Sequence, residues 1–416
     1  MKILFLNKYD THGGAAIAAW RLLLELKDGG ADIKLLCGIK KSNNSFVFPT
    51  RQAGLQNLLE RIVNLGMNQI GLQYVWFPFS TKKIFKTAQA FQPDIICMHN
   101  IHSGYVDLSI LPKLSKLAPL VWTLHDMWAF TANGAYVGND ISWKEMKPCK
   151  NERKKFPQIG INTGKWLLRR KRSIYEQSNI TFVCPSNWLR NLAVQSPLLH
   201  SQKVVQLFNG VDTDCFSPSS DKSASKNALG ISSEERVILF YAENIKDPRK
   251  GGVDLIKILK KLDASEADKV TLLTIGSGKL EMSFNHLKVK EVGFISGDKN
   301  IAQIIQAADI FLFPTFEDNL PNTLIEVSSC GIASLSYNAG GCGEIVIDSY
   351  NGLLSPIGDT DHFFQNLLYL LNNPLVLKKM QSNARTNALE NFDIHKNAKR
   401  YLELFNELIA TPVQPS

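Results

Sequence analysis

The stretch of this 416-residue chain richest in groups that could do chemistry reads Phe313-Pro-Thr-Phe-Glu-Asp-Asn-Leu-Pro-Asn-Thr-Leu-Ile-Glu326 and closes on Val-Ser-Ser-Cys-Gly331. An apolar strand is expected to turn here into a helix, with Asp318 or Asn319 at the N-cap, Pro321 in the first turn and Gly331 at the exit. The first turn of such a helix leaves backbone N–H groups around Asn322, Thr323 and Leu324 without intrahelical acceptors. A phosphate at that position gains both the donors and the positive end of the helix dipole. Glu326 lies one turn further in. Phosphate would repel it, so its carboxylate suits sugar hydroxyls such as a ribose diol. The two together point to a nucleotide.

Three other clusters fit that chemistry. Asp247-Pro-Arg-Lys-Gly-Gly252 falls between a strand and a helix, where Arg249 and Lys250 could neutralise a diphosphate through charge-assisted bonds worth ~1.5–3 kcal/mol each. Gly276-Ser-Gly278 permits close backbone approach, by a base or phosphate or simply in a tight turn. In the first half, Thr123-Leu-His-Asp-Met-Trp128 ends one strand and His12-Gly13-Gly14 ends another. A histidine at the carboxyl end of a parallel strand is placed to meet a ligand, His125 more so than His12.

The elements that must hold these groups alternate. Lys2 to Asn7 is an apolar run ended by a glycine turn, and Ala15 to Leu26 follows with apolar residues at helical spacing. Strands are expected at Asp32 to Cys37, Asp94 to Met98, Leu120 to Leu124 and Thr181 to Cys184, with helices such as Thr81 to Phe91 and Trp166 to Gln177 between them. The rhythm restarts with strands at Val237 to Tyr241, Val270 to Ile275, Val289 to Val292, Ile310 to Phe313 and Ile332 to Ser336. From Asp359 onward the pattern is helical. The expected fold class is therefore α/β, with two Rossmann-like doubly wound parallel-sheet domains facing across a cleft and a C-terminal helix returning to the first. The expected boundaries are 1–212, a Ser-, Lys- and Asp-rich linker 213–233, 234–391, and a terminal helix and tail 392–416.

Composition narrows the class. With 44% hydrophobic and 20% charged residues the chain is too apolar for wholesale disorder and too polar for a polytopic membrane protein. Seven cysteines without a C-x-x-C spacing indicate a reducing compartment, and the short apolar start reads as a buried strand, not a signal peptide. The stretch Ile62 to Thr81 lacks charges, but its Asn and Gln residues exclude a spanning helix. Its end, Tyr74 to Phe79, suits either a lipid interface or a loop packed under a domain. The net charge is +9, and residues 144–172 alone carry eleven Lys/Arg against Glu145 and Glu152, so the remainder is neutral. Such a local field attracts an anionic surface, unless it is only a solvated helix face.

The fragments Gly13-Gly14, Thr123-Leu-His-Asp-Met-Trp128, Pro185-Ser-Asn-Trp188, Asn209-Gly-Val-Asp212, Arg249-Lys-Gly251, Glu317 to Glu326, Asn351-Gly-Leu-Leu354 and Asn391-Phe392 occur in that order over nearly the whole chain. The chain resembles a family 4 retaining glycosyltransferase of GT-B fold, of the bacterial exopolysaccharide or O-antigen biosynthesis type. The resemblance implies that the loop Asp318, Asn319, Leu320, Pro321, Asn322 and Thr323 holds the donor sugar and diphosphate. It assigns Glu326 to the ribose, Arg249 and Lys250 to the diphosphate, and His125 to the transferred sugar. Gly13, Gly14 and Gly276 are the expected backbone approaches to the donor. The family pattern of Glu, seven residues, Glu meets Asp318 at its first position, with Glu317 one place early.

The implied reaction transfers a sugar from a nucleoside diphosphate sugar to a hydroxyl of a saccharide acceptor, with retained anomeric configuration. The implied cofactor set is empty, without a metal, since the nucleotide sugar is a co-substrate. His125, Asp318 and Glu326 are expected as positioning groups, with no nucleophile and base pair. The basic insert would hold the enzyme at a cytoplasmic leaflet bearing a lipid-diphosphate acceptor. Two rivals remain. One is a nucleotide-sugar epimerase or non-catalytic nucleotide binder on the same fold. The other, a nucleic-acid binder, lacks a regular aromatic ladder. A dinucleotide-dependent oxidoreductase is excluded because the first turn reads His-Gly-Gly-Ala, without G-x-G-x-x-G.

Overall fold

The computed structural model describes residues 1–51, 54–102, 104–265, 269–279 and 283–411. Of the expected C-terminal tail, residues 412–416 lie outside the described residues. The chain divides into two units, Met1–Phe208 with Asn397–Ser416, and Asn209–Lys396.

In the first unit the runs β1 (Lys2–Tyr9), β2 (Asp32–Ile39), β3 (Val47–Pro49), β4 (Ile95–Met98), β5 (Leu120–Thr123), β6 (Ile180–Cys184) and β7 (Lys203–Gln206) form a sheet in the order β3-β2-β1-β4-β5-β6-β7. Every pairing is parallel. Ile95–Met98, Leu120–Thr123 and Ile180–Cys184 are buried along their whole length, as strands covered on both faces must be. The final helix, Ile394–Ala410, packs its Tyr401, Leu404 and Phe405 among Ile3, Phe5, Val121 and Val183, and Tyr401 Oη lies 3.2 Å from Thr123 Oγ1. The C-terminus thus returns to the first sheet, as its apolar stripe suggested.

In the second unit β8 (Arg236–Asn244), β9 (Val270–Ser277), β10 (Lys288–Gly293), β11 (Ile310–Phe313), β12 (Ala333–Tyr337) and β13 (Gly352–Ser355) form a parallel sheet ordered β10-β9-β8-β11-β12-β13. In each sheet the order reverses beside the first strand, and in doubly wound sheets ligands bind outside the carboxyl ends at such a switch point.

The residues read as a linker are built into the second unit. Asp221 caps a short helix, Lys222–Ala228, through Ala224 N, and its buried Lys226 pairs with Asp309 at 2.9 Å. The stretch lacks apolar periodicity because an ion pair anchors it in place of a hydrophobic face. The chain passes from one unit to the other next to its return. Val211 N donates to Phe392 O (2.9 Å) and Ile394 N to Val211 O (3.0 Å). A Cβ on Gly210 would sit 2.7 Å from the Ile394 Cα, which explains the Asn-Gly-Val-Asp and Asn-Phe fragments as a crossing point. The segment before the Pro78–Phe91 helix is packed, with Tyr74 and Phe77 buried in the first core, so the loop reading holds there.

Candidate functional site

In the second unit β11 leads into helix Asn322–Ser329, whose N-cap is Pro321. No side chain caps it, contrary to the expectation for Asp318 or Asn319; Leu324 N and Ile325 N reach Pro321 O at 3.1 and 3.4 Å. The Asp318 carboxylate is drawn elsewhere. Its Oδ2 meets Lys250 Nζ in a very short ion pair and Arg249 Nη1 at 3.4 Å, while Oδ1 accepts from Asn319 N at 3.1 Å. Arg249 Nη1 also donates to Glu317 O at 2.8 Å, and Phe316 N donates to Arg249 O at 2.9 Å. The two loops are therefore one piece. Burial opposes ionisation of Asp318, but Lys250 and then Arg249 outweigh it and hold the carboxyl below the usual range. Arg249 Nη2 also lies 3.5 Å from Asp247 Oδ2, so the two cations are balanced by two carboxylates; what favours an anion is the helix start that no side chain caps, with the Lys250 and Arg249 donors held beside it.

Backbone conformation fixes this arrangement. Gly251 (φ 75°) ends the Pro248–Lys250 turn, and a Cβ there would lie 1.8 Å from Pro314 O. Gly340 (φ 57°) approaches from the turn after β12, where a Cβ would lie 1.8 Å from Asp318 O, and Gly341 N donates to that same oxygen at 3.0 Å. Leu320, Pro321 and Glu326 are buried, whereas Asn322 and Thr323 are partly exposed. Arg385 secures the far end of the helix by donating to Ser329 O, Phe216 O and Thr213 O. The close neighbour that Gly276 tolerates here is protein backbone, since a Cβ would sit 1.8 Å from Ala242 O of the adjacent strand.

In the first unit Gly13 (φ 85°) opens helix Gly14–Asp28 with no side-chain cap and nothing within 4 Å of where its Cβ would be. That leaves room for a group to approach the helix start. His125 follows β5 and joins a cluster that sequence reasoning found only in part. His99 Nδ1 lies 3.0 Å from His125 Nε2, and His102 Nε2 lies 3.0 Å from Asp126 Oδ2. His99 follows β4, Trp122 Nε1 donates to its carbonyl at 2.9 Å, and its Nε2 faces Cys97 Sγ at 3.6 Å. The available signal was Met98-His-Asn-Ile-His102, two histidines at a strand's carboxyl end, the same logic that selected His125.

Burial first, then His125, pushes His99 far below its ordinary value. Burial, aided by His102 and opposed by Asp126, lowers His125 to about 4. With both rings neutral, only one of His99 Nδ1 and His125 Nε2 carries the proton between them, so the tautomers of the two rings are coupled. This has a consequence for stability. Between pH 6.5 and about 4 the unfolded chain binds a proton at His125 that the folded chain refuses. The contribution is intact above the ordinary value and lost as pH falls toward the folded one. Thermal stability is expected to decline across that window, and His125→Gln to flatten the decline by up to one proton, ~1.4 kcal/mol per pH unit. Parallel pH profiles for the two proteins would contradict this.

The basic insert is only partly a free field. Lys171 is buried, donates to Thr131 O at 3.0 Å and stacks 3.5 Å over the Trp128 ring, and Arg170 pairs with Asp107. Lys147, Lys150, Arg153, Lys154, Lys165, Arg169 and Arg172 are exposed.

Two family models match the chain, Glycosyltransferase Family 4 over residues 12–215 and Glycosyl transferases group 1 over residues 221–387. An Escherichia coli relative, UDP-Gal:alpha-D-GlcNAc-diphosphoundecaprenol alpha-1,3-galactosyltransferase, is 23% identical over 235 residues, 55% of this chain and 60% of that protein. The Campylobacter jejuni N,N'-diacetylbacillosaminyl-diphospho-undecaprenol alpha-1,3-N-acetylgalactosaminyltransferase is 26% identical over 34% of this chain and 38% of its own length. The chain thus spans less than two thirds of either relative. Among solved structures, sucrose-phosphate synthase from Thermosynechococcus elongatus superposes with TM-score 0.70 at 14% identity, covering 98% of this chain and 99% of that one. Anabaena HepE in complex with UDP-glucose superposes with TM-score 0.65 at 18% identity, covering 98% and 100%. With the two family models together matching nearly the whole chain, the chain belongs to glycosyltransferase family 4.

Proposed function

We propose that this protein transfers a sugar from a nucleoside diphosphate sugar to a hydroxyl of a lipid-diphosphate-linked saccharide in cell-surface polysaccharide biosynthesis, with retention of configuration and without a metal. The observation that carries the reading is the pair of cations Arg249 and Lys250, held in place by Asp247 and Asp318, beside the start of Asn322–Ser329, which no side chain caps. As the glycosidic bond breaks, the diphosphate gains negative charge, and preorganised donors aimed at that charge lower the barrier. Arg249, Lys250 and the amides of Asn322 and Thr323 supply them. Asp318 orients the two cations and the donor sugar, with Asn319, Leu320 and Pro321 shaping the loop. Glu326 receives the ribose hydroxyls, and Gly13, Gly14 and His125 serve the donor and its transferred sugar.

The relatives named above carry diphosphoundecaprenol acceptors in their names, which supports an acceptor of that chemistry here. The exposed lysines and arginines of residues 144–172 support a contact with the anionic inner leaflet of the plasma membrane. Purified protein is expected to be stabilised by one of UDP, GDP or ADP over the others, by ~2.7 kcal/mol at a hundredfold excess over Kd. With the matching nucleotide sugar, release of free nucleoside diphosphate should require an added lipid-linked acceptor and survive EDTA. Nucleotide binding without acceptor-dependent release would favour a non-catalytic binder, and sugar isomerisation without acceptor an epimerase.

A further inference from the structure

Helix Leu55–Gln69 is wound with its polar side inward. Asn57, Glu60, Asn64 and Asn68 recur at helical spacing on the side facing the first unit. Glu60 is 1% exposed and accepts from Phe79 N (2.8 Å), Ser80 N (2.9 Å) and Ser80 Oγ (2.5 Å). Asn57 and Asn68 bury their side-chain carbonyl oxygens. At about 100° per residue the opposite side carries Leu55, Leu58, Leu59, Ile62 and Leu65, which are 80%, 51%, 43%, 57% and 65% exposed. A surface helix of a water-soluble domain shows the reverse arrangement. An exposed aliphatic face of this length marks a surface that meets something apolar.

Its neighbours indicate what. The end of the helix is bonded to the basic insert, with Gly160 N donating to Asn68 O at 2.9 Å and Gln73 Nε2 to Pro157 O at 3.0 Å. Thr163 Oγ1 donates to Gly71 O just before helix Gly164–Glu176 begins. That second helix exposes Lys165, Trp166, Arg169 and Arg172. Aliphatic residues flanked by cations and a tryptophan match an anionic bilayer, which satisfies both the apolar face and the charges. A second copy of the chain meets it less well, because a twofold contact brings each patch onto itself and sets basic side chains against one another.

We propose that helix Leu55–Gln69 is an interfacial membrane anchor. Its five aliphatic side chains enter the boundary between headgroups and acyl chains of an anionic leaflet, and Lys165, Arg169 and Arg172 take the acidic headgroups. This deepens the membrane contact in the functional reading above. Its test does not read sugar transfer, so failure of either leaves the other standing.

The full chain is sedimented with vesicles of phosphatidylcholine and of phosphatidylcholine mixed with phosphatidylglycerol, at low and high salt. Wild type should partition onto the mixed vesicles. Leu58→Gln with Ile62→Gln should weaken partition by about tenfold or more at both salt levels, because the lost term is apolar. Lys165→Gln with Arg169→Gln should weaken it by about tenfold at low salt only. Ile62→Trp should add a blue-shifted emission component when mixed vesicles are supplied. Partition of the Leu58→Gln/Ile62→Gln protein equal to wild type overturns the proposal. So does an unshifted Ile62→Trp spectrum, or a wild-type dimer that this pair of changes dissociates.

Discussion

Lys250→Met should lower the transfer rate by about 10² to 10³-fold, the cost of removing one preorganised donor from a developing anion. The ammonium is held in the ion pair with Asp318, and 5.3 Å over the Phe313 ring, so it is already placed before any donor binds. Its removal acts twice. The diphosphate loses a cation, and the buried Asp318 loses the larger of the two charges that keep it ionised below the usual range. The Asp318 carboxyl is then expected to titrate upward, with Arg249 at 3.4 Å as the cation still paired with it. Conservative Lys250→Arg should recover only part of the rate, because a planar guanidinium cannot occupy the position of a compact ammonium. Steady-state rates with saturating nucleotide sugar test the first effect and the acid limb of the pH profile tests the second. A Lys250→Met enzyme within threefold of wild type would remove the diphosphate from this site.

Gly340→Ala should cost about 2–4 kcal/mol of stability and abolish the nucleotide-induced thermal shift, since its Cβ would be forced 1.8 Å from Asp318 O. The clash falls on backbone, so relief requires moving the loop from Asp318 to Thr323 that carries the proposed donor amides. Gly358→Ala separates the steric part from the dihedral part. Its φ of 81° is as unfavourable for alanine, yet nothing lies within 4 Å of the added carbon. That change should cost only about 1 kcal/mol and leave nucleotide binding intact. Equal effects of the two substitutions would show that backbone strain alone, without the crowding against Asp318, is responsible.

What could be read from residue order was whatever depends on period and punctuation. The apolar runs at Lys2–Tyr9, Ile95–Met98, Leu120–Thr123 and Ile310–Phe313 are continuous because both sheet faces are covered, so their strand character survives without knowledge of their neighbours. Residues close in sequence, such as Asp318 to Glu326 on one strand–helix turn, were legible for the same reason. Short edge strands, Val47–Pro49 and Lys203–Gln206, were not, because a few residues carry too little pattern to separate strand from loop. Tertiary structure alone decided the long-range pairings. Only folding takes Asp318 from the helix cap its position favours to Lys250, sixty-eight residues away, and its neighbour Arg249, where desolvation makes a charged partner worth more than a backbone amide. Only folding sets His99 against His125, since hydrogen bonds between adjacent parallel strands bring together residues that local propensity treats as independent. Helix Leu55–Gln69 shows the same limit, because its asparagines and Glu60 mark a stripe whose inward direction is fixed by Ser80 and Gly160, which lie outside the helix itself.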